Sequence, residues 1–447
     1  MQSIAQIIGR FKQNWTQELS SDAIVQAARH AGMTWKNSLL DPVTTLQIFF
    51  LQVLHGNTAC EHLSHLAGIS FTAAAYCKAR MRLHLDMLQN LLARCVEQSQ
   101  QESFDVARWR GHRVFHLDGS SFSMPDTREL QAHFGQSGAQ KPGCGFPTAH
   151  WLVQMHAATG MIVGMLARPL RTHDMDSAAE LHPELRAGDV LVADRGFCSY
   201  AHLTLLCQRG VQGVLRIHQR TIVDFTPGRA HVAPSKKTTK KHKGKPRSRW
   251  IKQLGKLDQI VEWLKPMEKP EWMSAEQYAA LPASLMIREL RYAIHQKGYR
   301  TKEITLATTL LDAARYPLDE LAEQFRQRWE IETNFGHLKT TMKMDVLKCH
   351  TVAGVLRELY VFALVYNLVR QVMLEASRRQ QVAVGRISFI DAWRWLQTAT
   401  PETDLPQLVV NPRRPNRQEP RVRKRRPKPY KLMTKPRRQL QQELAAK

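Results

Sequence analysis

The feature that most constrains the fold is an alternation of short apolar runs and helical stretches between residues 106 and 218. Runs of four to ten residues bounded by turn residues predict strands. The strands are predicted at 114–117, 149–158, 161–166, 189–193 and 212–217, and the helices at 176–185 and 200–209. The order strand–strand–strand–helix–strand–helix–strand predicts an α/β domain with a mixed sheet and flanking helices.

The flanking regions have different patterns. Residues 1–105 carry apolar residues at helical spacing and predict an N-terminal helical domain. Residues 219–305 combine a lysine-rich stretch with strand-like runs and predict a β-rich basic insertion. Residues 306–395 return to a strand and long helical stretches, which predict the second part of the α/β core. Residues 396–447 are rich in Pro, Arg and Lys and predict a basic tail that cannot bury a core of its own.

The positive charge is concentrated in two segments. The net charge is +25, and residues 412–438 hold thirteen Lys and Arg against one acid, Glu419. Residues 235–257 hold ten Lys and Arg and no acid, so the rest of the chain carries only about +3. Charge patterned in this way indicates a polyanionic partner, with nucleic acid the leading candidate, although a charged tail can also serve solubility alone.

The cysteines and the apolar runs indicate a compartment. The chain has seven cysteines and no C-x-x-C pair, which argues against a disulfide framework or a zinc ribbon. Reduced thiols are typical of cytosolic proteins. The N-terminal residues lack the pattern of a signal peptide, and the apolar runs are too short to predict a membrane span. We therefore expect a cytoplasmic protein without a membrane partner.

A helix–turn–helix pattern occurs within the N-terminal region. Residues 57–83 read as a short helix, a turn around Gly68, and a second helix with Ser70 as its N-cap. The second helix carries Lys78, Arg80 and Arg82, which could contact DNA in a major groove. An ordinary helical hairpin with a solvated basic face fits the same residues equally well.

Two aspartates end predicted core strands. Asp118 lies in HLDGSSF and Asp194 in VADRGF, and a glycine follows closely in both. Strand ends are where α/β sheets bind ligands, and a third carboxylate from a nearby helix would complete a divalent-metal site. Two metal ions held in this way support phosphoryl transfer. Taken singly, an Asp before Gly is more often a turn residue.

A helical stretch predicted at 318–341 supplies the third carboxylate. Phe325, Arg328, Glu332 and Lys339 follow at spacings of three, four and seven, which would place them on one helix face. Ion pairing along an exposed helix would explain the pattern alone. Combined with the two strand-end aspartates and the basic segments, the pattern favours a face that holds a metal ion and DNA phosphate.

These motifs resemble the IS4 family of bacterial DDE transposases. That family carries its catalytic glutamate in a Y-x2-R-x3-E-x6-K signature, and Phe325, Arg328, Glu332 and Lys339 match all four spacings, with Phe325 in place of the tyrosine. HLDGSSF and ADRGFCSY match the two aspartate motifs. The resemblance covers roughly residues 46–438, and the long interval before Glu332 resembles family members with a β-rich insertion.

The resemblance implies an RNase H-like core in which Asp118, Asp194 and Glu332 are catalytic and bind two Mg²⁺ ions, which Mn²⁺ could replace. It implies cleavage at the ends of a mobile element and joining of the 3′-OH to target DNA. Arg328 and Lys339 would hold phosphates, with Phe325 packing beside them.

The implied partners are the terminal inverted repeats and target DNA, bound by a homodimer at the bacterial nucleoid. An aromatic residue of the insertion can grip a flipped base in this family. Trp250, Trp263 and Trp272 are candidates by location, and we expect at least two of them to be packing residues. Two alternatives stay open: a transposase remnant that acts as a repressor, and an RNase H-like nuclease without strand transfer.

Overall fold

The computed structural model describes residues 19–99, 108–170, 174–234, 244–294, 303–399, 403–410 and 433–446. Residues 235–243 of the first polybasic segment and 412–432 of the second therefore lie outside the described residues. So do the first eighteen residues of the predicted N-terminal domain.

The N-terminal region is helical, as predicted. Its helices are α1 (Ser21–His30), α2 (Pro42–Leu54), α3 (Leu63–Ala67), α4 (Ala73–Arg82) and α5 (Leu85–Ser99). Asp41 caps α2, whose first residue is Pro42, because the Asp41 carboxylate accepts the Thr44 N–H. α3 ends at Gly68, whose φ of +65° suits glycine. The predicted cap of the next helix is wrong: Thr72, and not Ser70, accepts the Ala75 N–H at the start of α4.

A mixed sheet forms the centre of the molecule. Its first five strands are β1 (Val114–Ser123), β2 (Thr148–His156), β3 (Ile162–Pro169), β4 (Val190–Ala193) and β5 (Gln212–Arg216). They lie in the order β3-β2-β1-β4-β5, with β1, β4 and β5 parallel and β2 and β3 antiparallel. The intervening helices are α6 (Arg128–Phe134), α7 (Asp174–Ala178) and α8 (Tyr200–Gln208), with a 3₁₀ turn at Ala179–Glu184. This order and these directions confirm the expected RNase H-like core with a mixed sheet and flanking helices.

The insertion continues the same sheet. It contains β6 (Arg249–Gly255), β7 (Asp258–Leu264), α9 (Ala275–Ala279) and β8 (Ser284–Ala293), and β9 (Glu303–Thr308) follows. β9 pairs antiparallel with β5 on one side and with β8 on the other. Within the described residues the order is therefore β3-β2-β1-β4-β5-β9-β8-β7-β6, one sheet of nine strands. The insertion is β-rich, as predicted, but its strands extend the core sheet.

The C-terminal part of the chain is helical. It contains α10 (Leu318–Gln327), α11 (Trp329–Gly336), α12 (Val352–Arg379), α13 (Phe389–Thr398) and α14 (Arg437–Ala445). The single helix predicted at 318–341 is wrong in one respect, because it breaks at Arg328 and ends in a π turn at His337–Thr341. The break separates α10 from α11.

Helix α12 joins the N-terminal helices to the sheet. Its Asn367 side chain accepts the Ile162 N–H and donates to the Ile162 carbonyl on β3, and its Glu358 carboxylate accepts the Asn57 amide at 2.7 Å. One hydrophobic cluster includes Phe49 of α2, Leu88 of α5 and residues of α12. Among the described helices α12 alone is long and apolar enough to cross a bilayer, yet most of it is buried inside the protein.

Candidate functional site

Asp118 and Asp194 lie beside each other where the pairing of β1 with β4 ends, although β1 itself continues to Ser123, beyond the end at 117 that the sequence predicted. β1 and β4 are parallel, and their last paired residues are Leu117 and Ala193. Asp118 and Asp194 are the next residues on these two strands, and neighbouring strands lie about 4.8 Å apart. The strand register therefore brings together the two aspartates that the sequence singled out.

Arg328 contacts the Asp118 carboxylate. Its Nη1 lies 2.5 Å from Asp118 Oδ2, and the Gly119 N–H donates to Oδ1 at 2.8 Å. Burial raises the pKa of Asp118 to about 6, against the lowering effects of Arg328 and of the Gly119 N–H. The negative charges of Glu332 and Asp194 raise this pKa further. The other two predicted carboxylates, Glu332 and Asp194, thus both affect the pKa of Asp118.

Asp194 has fewer partners than Asp118. It directly follows β4 and begins the short 3₁₀ helix Arg195–Phe197, where its carbonyl accepts the Phe197 N–H. Arg216 Nη1 lies 3.6 Å from Asp194 Oδ1, an ion pair too long for a hydrogen bond. Within the described part of the chain, the buried Oδ1 has no hydrogen-bond partner. A buried carboxylate oxygen that accepts no hydrogen bond lowers the stability of the fold unless a ligand binds to it.

The sequence did not single out Arg216. It is the last residue of β5, the third parallel strand. The C-terminal ends of parallel strands meet at one edge, so the rule that drew attention to Asp118 and Asp194 could also have found Arg216.

Glu332 lies on α11 and is exposed to solvent. Lys339, in the following π turn, is half-buried, and its Nζ lies 5.2 Å from the centre of the Phe122 ring on β1. Burial lowers the pKa of Lys339, whereas the charge of Glu332 raises it. Glu332 therefore interacts electrostatically with both Lys339 and Asp118.

The Phe325 ring packs against the Arg328 guanidinium. The ring is only 2% exposed, and the Arg328 guanidinium lies over it at 5.4 Å from the ring centre. Arg328 lies at the break between α10 and α11 with a helical backbone conformation, and its side chain contacts Asp118 on β1. The four signature residues are therefore divided between α10, the break, α11 and the π turn. Phe325 and Arg328 are buried, and Glu332 is exposed.

His116 lies on β1 two residues before Asp118 and is buried. Burial, together with the charge of Arg328, lowers the pKa of His116 to about 3, so the imidazole is neutral.

The carboxylates suit a hard divalent cation, although they do not form a closed cage. Among the described residues, no group of three or more His, Cys, Asp or Glu side chains is gathered closely enough to hold a metal ion. The donor set is nevertheless what Mg²⁺ prefers, because it consists of carboxylate oxygens that leave several positions to water and substrate. Asp194 Oδ1 accepts no hydrogen bond from the described residues, and its ion-pair partner Arg216 is 3.6 Å away, so this oxygen can still take a closer ligand. The residues present therefore fit such an ion.

The basic residues of α4 point in different directions. Lys78 and Arg82 are exposed, as DNA contact would require. Arg80 faces inward: its Nη1 donates to Gln52 Oε1 at 3.0 Å, and its guanidinium lies 4.8 Å from the centre of the Phe49 ring. The expectation for Arg80 is corrected on this point, since its side chain joins α4 to α2.

The tryptophans of the insertion are at least partly buried. Trp263 Nε1 donates to buried Glu289 at 2.8 Å, and Trp263 and Trp272 both pack against core clusters. Trp250 Nε1 lies 3.4 Å from Gln253 Oε1. By contrast, Trp329 on α11 is 54% exposed, one helical turn from Glu332. Its place directly after the signature arginine could have marked it in the sequence.

Comparisons with known proteins agree with this geometry. The family model described as "Transposase DDE domain" matches residues 109–368, more than half of the chain. The transposase InsG of insertion sequence element IS4 from Escherichia coli (strain K12) is 24% identical over 378 residues, which cover 80% of this chain and 77% of that protein. A putative transposase InsZ from the same organism is 23% identical over 146 residues, covering 32% of this chain and 49% of its own length.

Among solved structures, a piggyBac transposase synaptic complex with hairpin DNA, determined by cryo-EM, is similar. Its TM-score is 0.45 at 8% identity, with 89% of this chain and 80% of that chain covered.

Proposed function

Because this chain belongs to the DDE transposases of the IS4 family, we propose that it cuts DNA at the ends of its own mobile element and joins the freed 3′-OH to target DNA. The observation that carries the proposal is the adjacency of Asp118 and Asp194 in the parallel register of β1 and β4. Arg328 and Glu332 both act electrostatically on the Asp118 carboxylate. A phosphodiester and a divalent cation are the ligands that such a mixture of charges would accept.

Asp118, Asp194 and Glu332 would hold the metal, which we propose to be a pair of Mg²⁺ ions that Mn²⁺ can replace. When bound, such ions supply Lewis acidity towards the phosphodiester and lower the pKa of the attacking hydroxyl. The raised pKa of Asp118 is consistent with a carboxylate that gains a cation on binding. Asp194 Oδ1, which accepts no hydrogen bond from the described residues, would gain a metal contact in addition to its 3.6 Å ion pair with Arg216.

Arg328 and Lys339 would hold the phosphates on either side of the scissile bond. Arg328 offers a planar fork of donors, and the Phe325 ring fixes the plane of that fork. Lys339 offers a point charge, and its amine is already partly desolvated above Phe122. Phe325 lacks the hydroxyl of the family's tyrosine, so its contribution here is packing.

Other contacts with DNA would come from outside the carboxylate site. Exposed Lys78 and Arg82 on α4 are suited to phosphate contact. Exposed Trp329 is suited to stacking on a base near Glu332. The polybasic segments would add affinity that falls steeply with salt. We further propose a homodimer on DNA, since two element ends must be paired, and a bacterial cytoplasmic location at the nucleoid.

A joining assay tests the proposal. Purified protein is incubated with Mg²⁺, a linear DNA carrying both element ends, and a supercoiled target plasmid, beside a reaction containing EDTA. The expected result is metal-dependent breaks at the element boundaries followed by insertion of the ends into the target. Breaks without any joined product would support a nuclease. Specific binding of the ends without breaks would support a repressor and overturn the proposed chemistry.

A further inference from the structure

Two buried polar atoms, one on His116 and one on Arg328, form no hydrogen bond with the described residues, and one can donate while the other can accept. In the region of the chain that the structure describes, neither His116 Nε2 nor Arg328 Nε has a hydrogen-bond partner. The first is a nitrogen that can accept a hydrogen bond, and the second always carries a proton to donate. Buried polar groups are rarely left in this condition, so a pair of them beside a candidate catalytic carboxylate calls for an explanation.

The register of the sheet places His116 on the same face as Asp118. Residues two apart on a strand share a face, and His116 pairs with Met155 on β2 and with Val192 on β4. The Asn334 amide of α11 lies 3.6 Å from Met155 Sδ, so α11 covers this face of the sheet. His116 therefore lies on the face of the sheet that α11 covers, the face on which Arg328 contacts Asp118.

Arg328 has one strong contact and spare donors. Its Nη1 lies 2.5 Å from Asp118 Oδ2, while its side chain is 7% exposed. If Asp118 turns towards a metal ion, the guanidinium loses this partner in a buried position. A buried arginine without a partner is strongly destabilising, so a second acceptor within reach would make the exchange possible.

We propose that His116 is a positioning residue that provides this second acceptor: its Nε2 accepts a hydrogen bond from Arg328 when Asp118 binds metal. The imidazole then carries its proton on Nδ1. The guanidinium stays in the site, with its Nη groups turned towards the DNA phosphate. The inference rests on the proposed function, because it assigns His116 a part in the same site.

The test compares two substitutions of one residue. His116→Leu keeps apolar bulk and removes the acceptor, whereas His116→Gln restores an acceptor at a similar distance from the backbone. Mn²⁺ affinity, measured by electron paramagnetic resonance without DNA, is the first readout. The second is the single-turnover rate of end cleavage, and the third is thermal stability.

We expect His116→Leu to bind Mn²⁺ about ten-fold more weakly, the size of one hydrogen bond to a charged group. Cleavage should slow by a similar factor, and the melting temperature should stay unchanged or rise, because an unpaired buried polar atom has been removed. His116→Gln should recover most of both losses.

Equal Mn²⁺ affinity in the wild type and in His116→Leu would overturn the inference, as would equal losses in the Leu and Gln variants. If His116→Leu is destabilised, the Gln variant still decides, since a purely structural role would not restore metal affinity through an acceptor. A failure of the proposed function looks different: the wild type itself would bind Mn²⁺ no better than Glu332→Gln and would not cut DNA.

Discussion

Two arginine–aspartate pairs lie at opposite ends of the segment over which β1 and β4 pair, and they differ in the number of hydrogen bonds that each makes. At the N-terminal end, Arg113 Nε and Nη2 donate to Asp189 at 2.8 and 2.6 Å, and the Arg186 N–H donates to the same carboxylate at 2.7 Å. Both side chains are 3% exposed. At the C-terminal end, Arg328 makes one short contact with Asp118 and leaves its Nε unbonded among the described residues.

The difference separates a structural pair from a candidate functional one. In the Arg113–Asp189 pair, the carboxylate is bonded by two guanidinium nitrogens and by a backbone N–H, so its charge is neutralised within the pair. This pair holds the start of β1 to the start of β4. At the other end, Arg328 Nε and the neighbouring Asp194 Oδ1 form no hydrogen bond with the described residues. A site that binds a cation and a phosphate needs polar atoms that are not already bonded to each other. The stability lost at these atoms is offset by the rest of the fold.

The largest expected effect is a loss of cleavage rate, at the C-terminal end of the β1–β4 pairing. Asp194→Asn should slow end cleavage about 10²–10³-fold, the size of losing one group that stabilises the transition state. Folding should be unaffected, because Asp194 Oδ1 makes no hydrogen bond within the described residues. The measurements are the rate of end cleavage and the midpoint of urea unfolding. A large drop in the midpoint with little change in the rate would show that Asp194 has a structural role and not a catalytic one.

The second-largest expected effect is a loss of stability, at the N-terminal end of the β1–β4 pairing. Arg113→Met leaves Asp189 buried without its cation and should lower the free energy of unfolding by about 3–5 kcal/mol. The double variant Arg113→Met with Asp189→Leu should cost less than Arg113→Met alone, since no buried charge remains. Urea unfolding of both variants provides the measurement. A single variant as stable as the wild type would show that the pair is not structural.

A pH titration sharpens the comparison. The pKa of Asp118 is raised to about 6, mainly by burial, so the carboxyl is increasingly protonated as the pH falls through 6. Mn²⁺ affinity should therefore be constant above about pH 7 and fall as the pH drops below 6, where protons compete for the carboxylate. Calorimetric titrations between pH 5 and 7.5 would show this. An affinity that does not change over that range would mean that Asp118 does not bind the metal.

The smallest expected effect concerns Phe325. Phe325→Tyr restores the family's hydroxyl on a ring that is already buried against Arg328, so cleavage should change by less than about three-fold. The measurement is the rate of end cleavage, with the melting temperature as a control for packing. A collapse in cleavage without loss of stability would show that the ring does not support Arg328 in the way described.

Much of the fold followed from local patterns. The strands were recognisable because apolar runs end at turn residues, and Asp118 and Asp194 were recognisable because they end such runs. The break at Arg328 was not, because the sequence around it contains neither proline nor glycine to mark it. A tertiary contact to a residue 210 positions earlier accompanies that break. The continuation of the sheet into the insertion was hidden for the same reason, since it depends on the pairing of β8 with β9.

The inward turn of Arg80 could have been predicted. Residues two apart on a helix lie on nearly opposite faces, whereas residues four apart share one. Lys78 and Arg82 therefore belong together on the surface of α4, and Arg80 belongs on the buried side. Treating the three cations as one face ignored the helical period.

The central claim is that Asp118 and Asp194, where the pairing of β1 with β4 ends, perform the chemistry together with Glu332 of α11. One pair of variants on α11 tests it most directly. Glu332→Gln and Glu330→Gln make the same change two residues apart, and Glu330 is likewise exposed on that helix. With Mg²⁺ and a plasmid carrying the element and its flanks, Glu330→Gln should cut the boundaries as the wild type does, while Glu332→Gln should make no detectable breaks and still bind the ends. Cleavage by Glu332→Gln at the rate of Glu330→Gln would contradict the account.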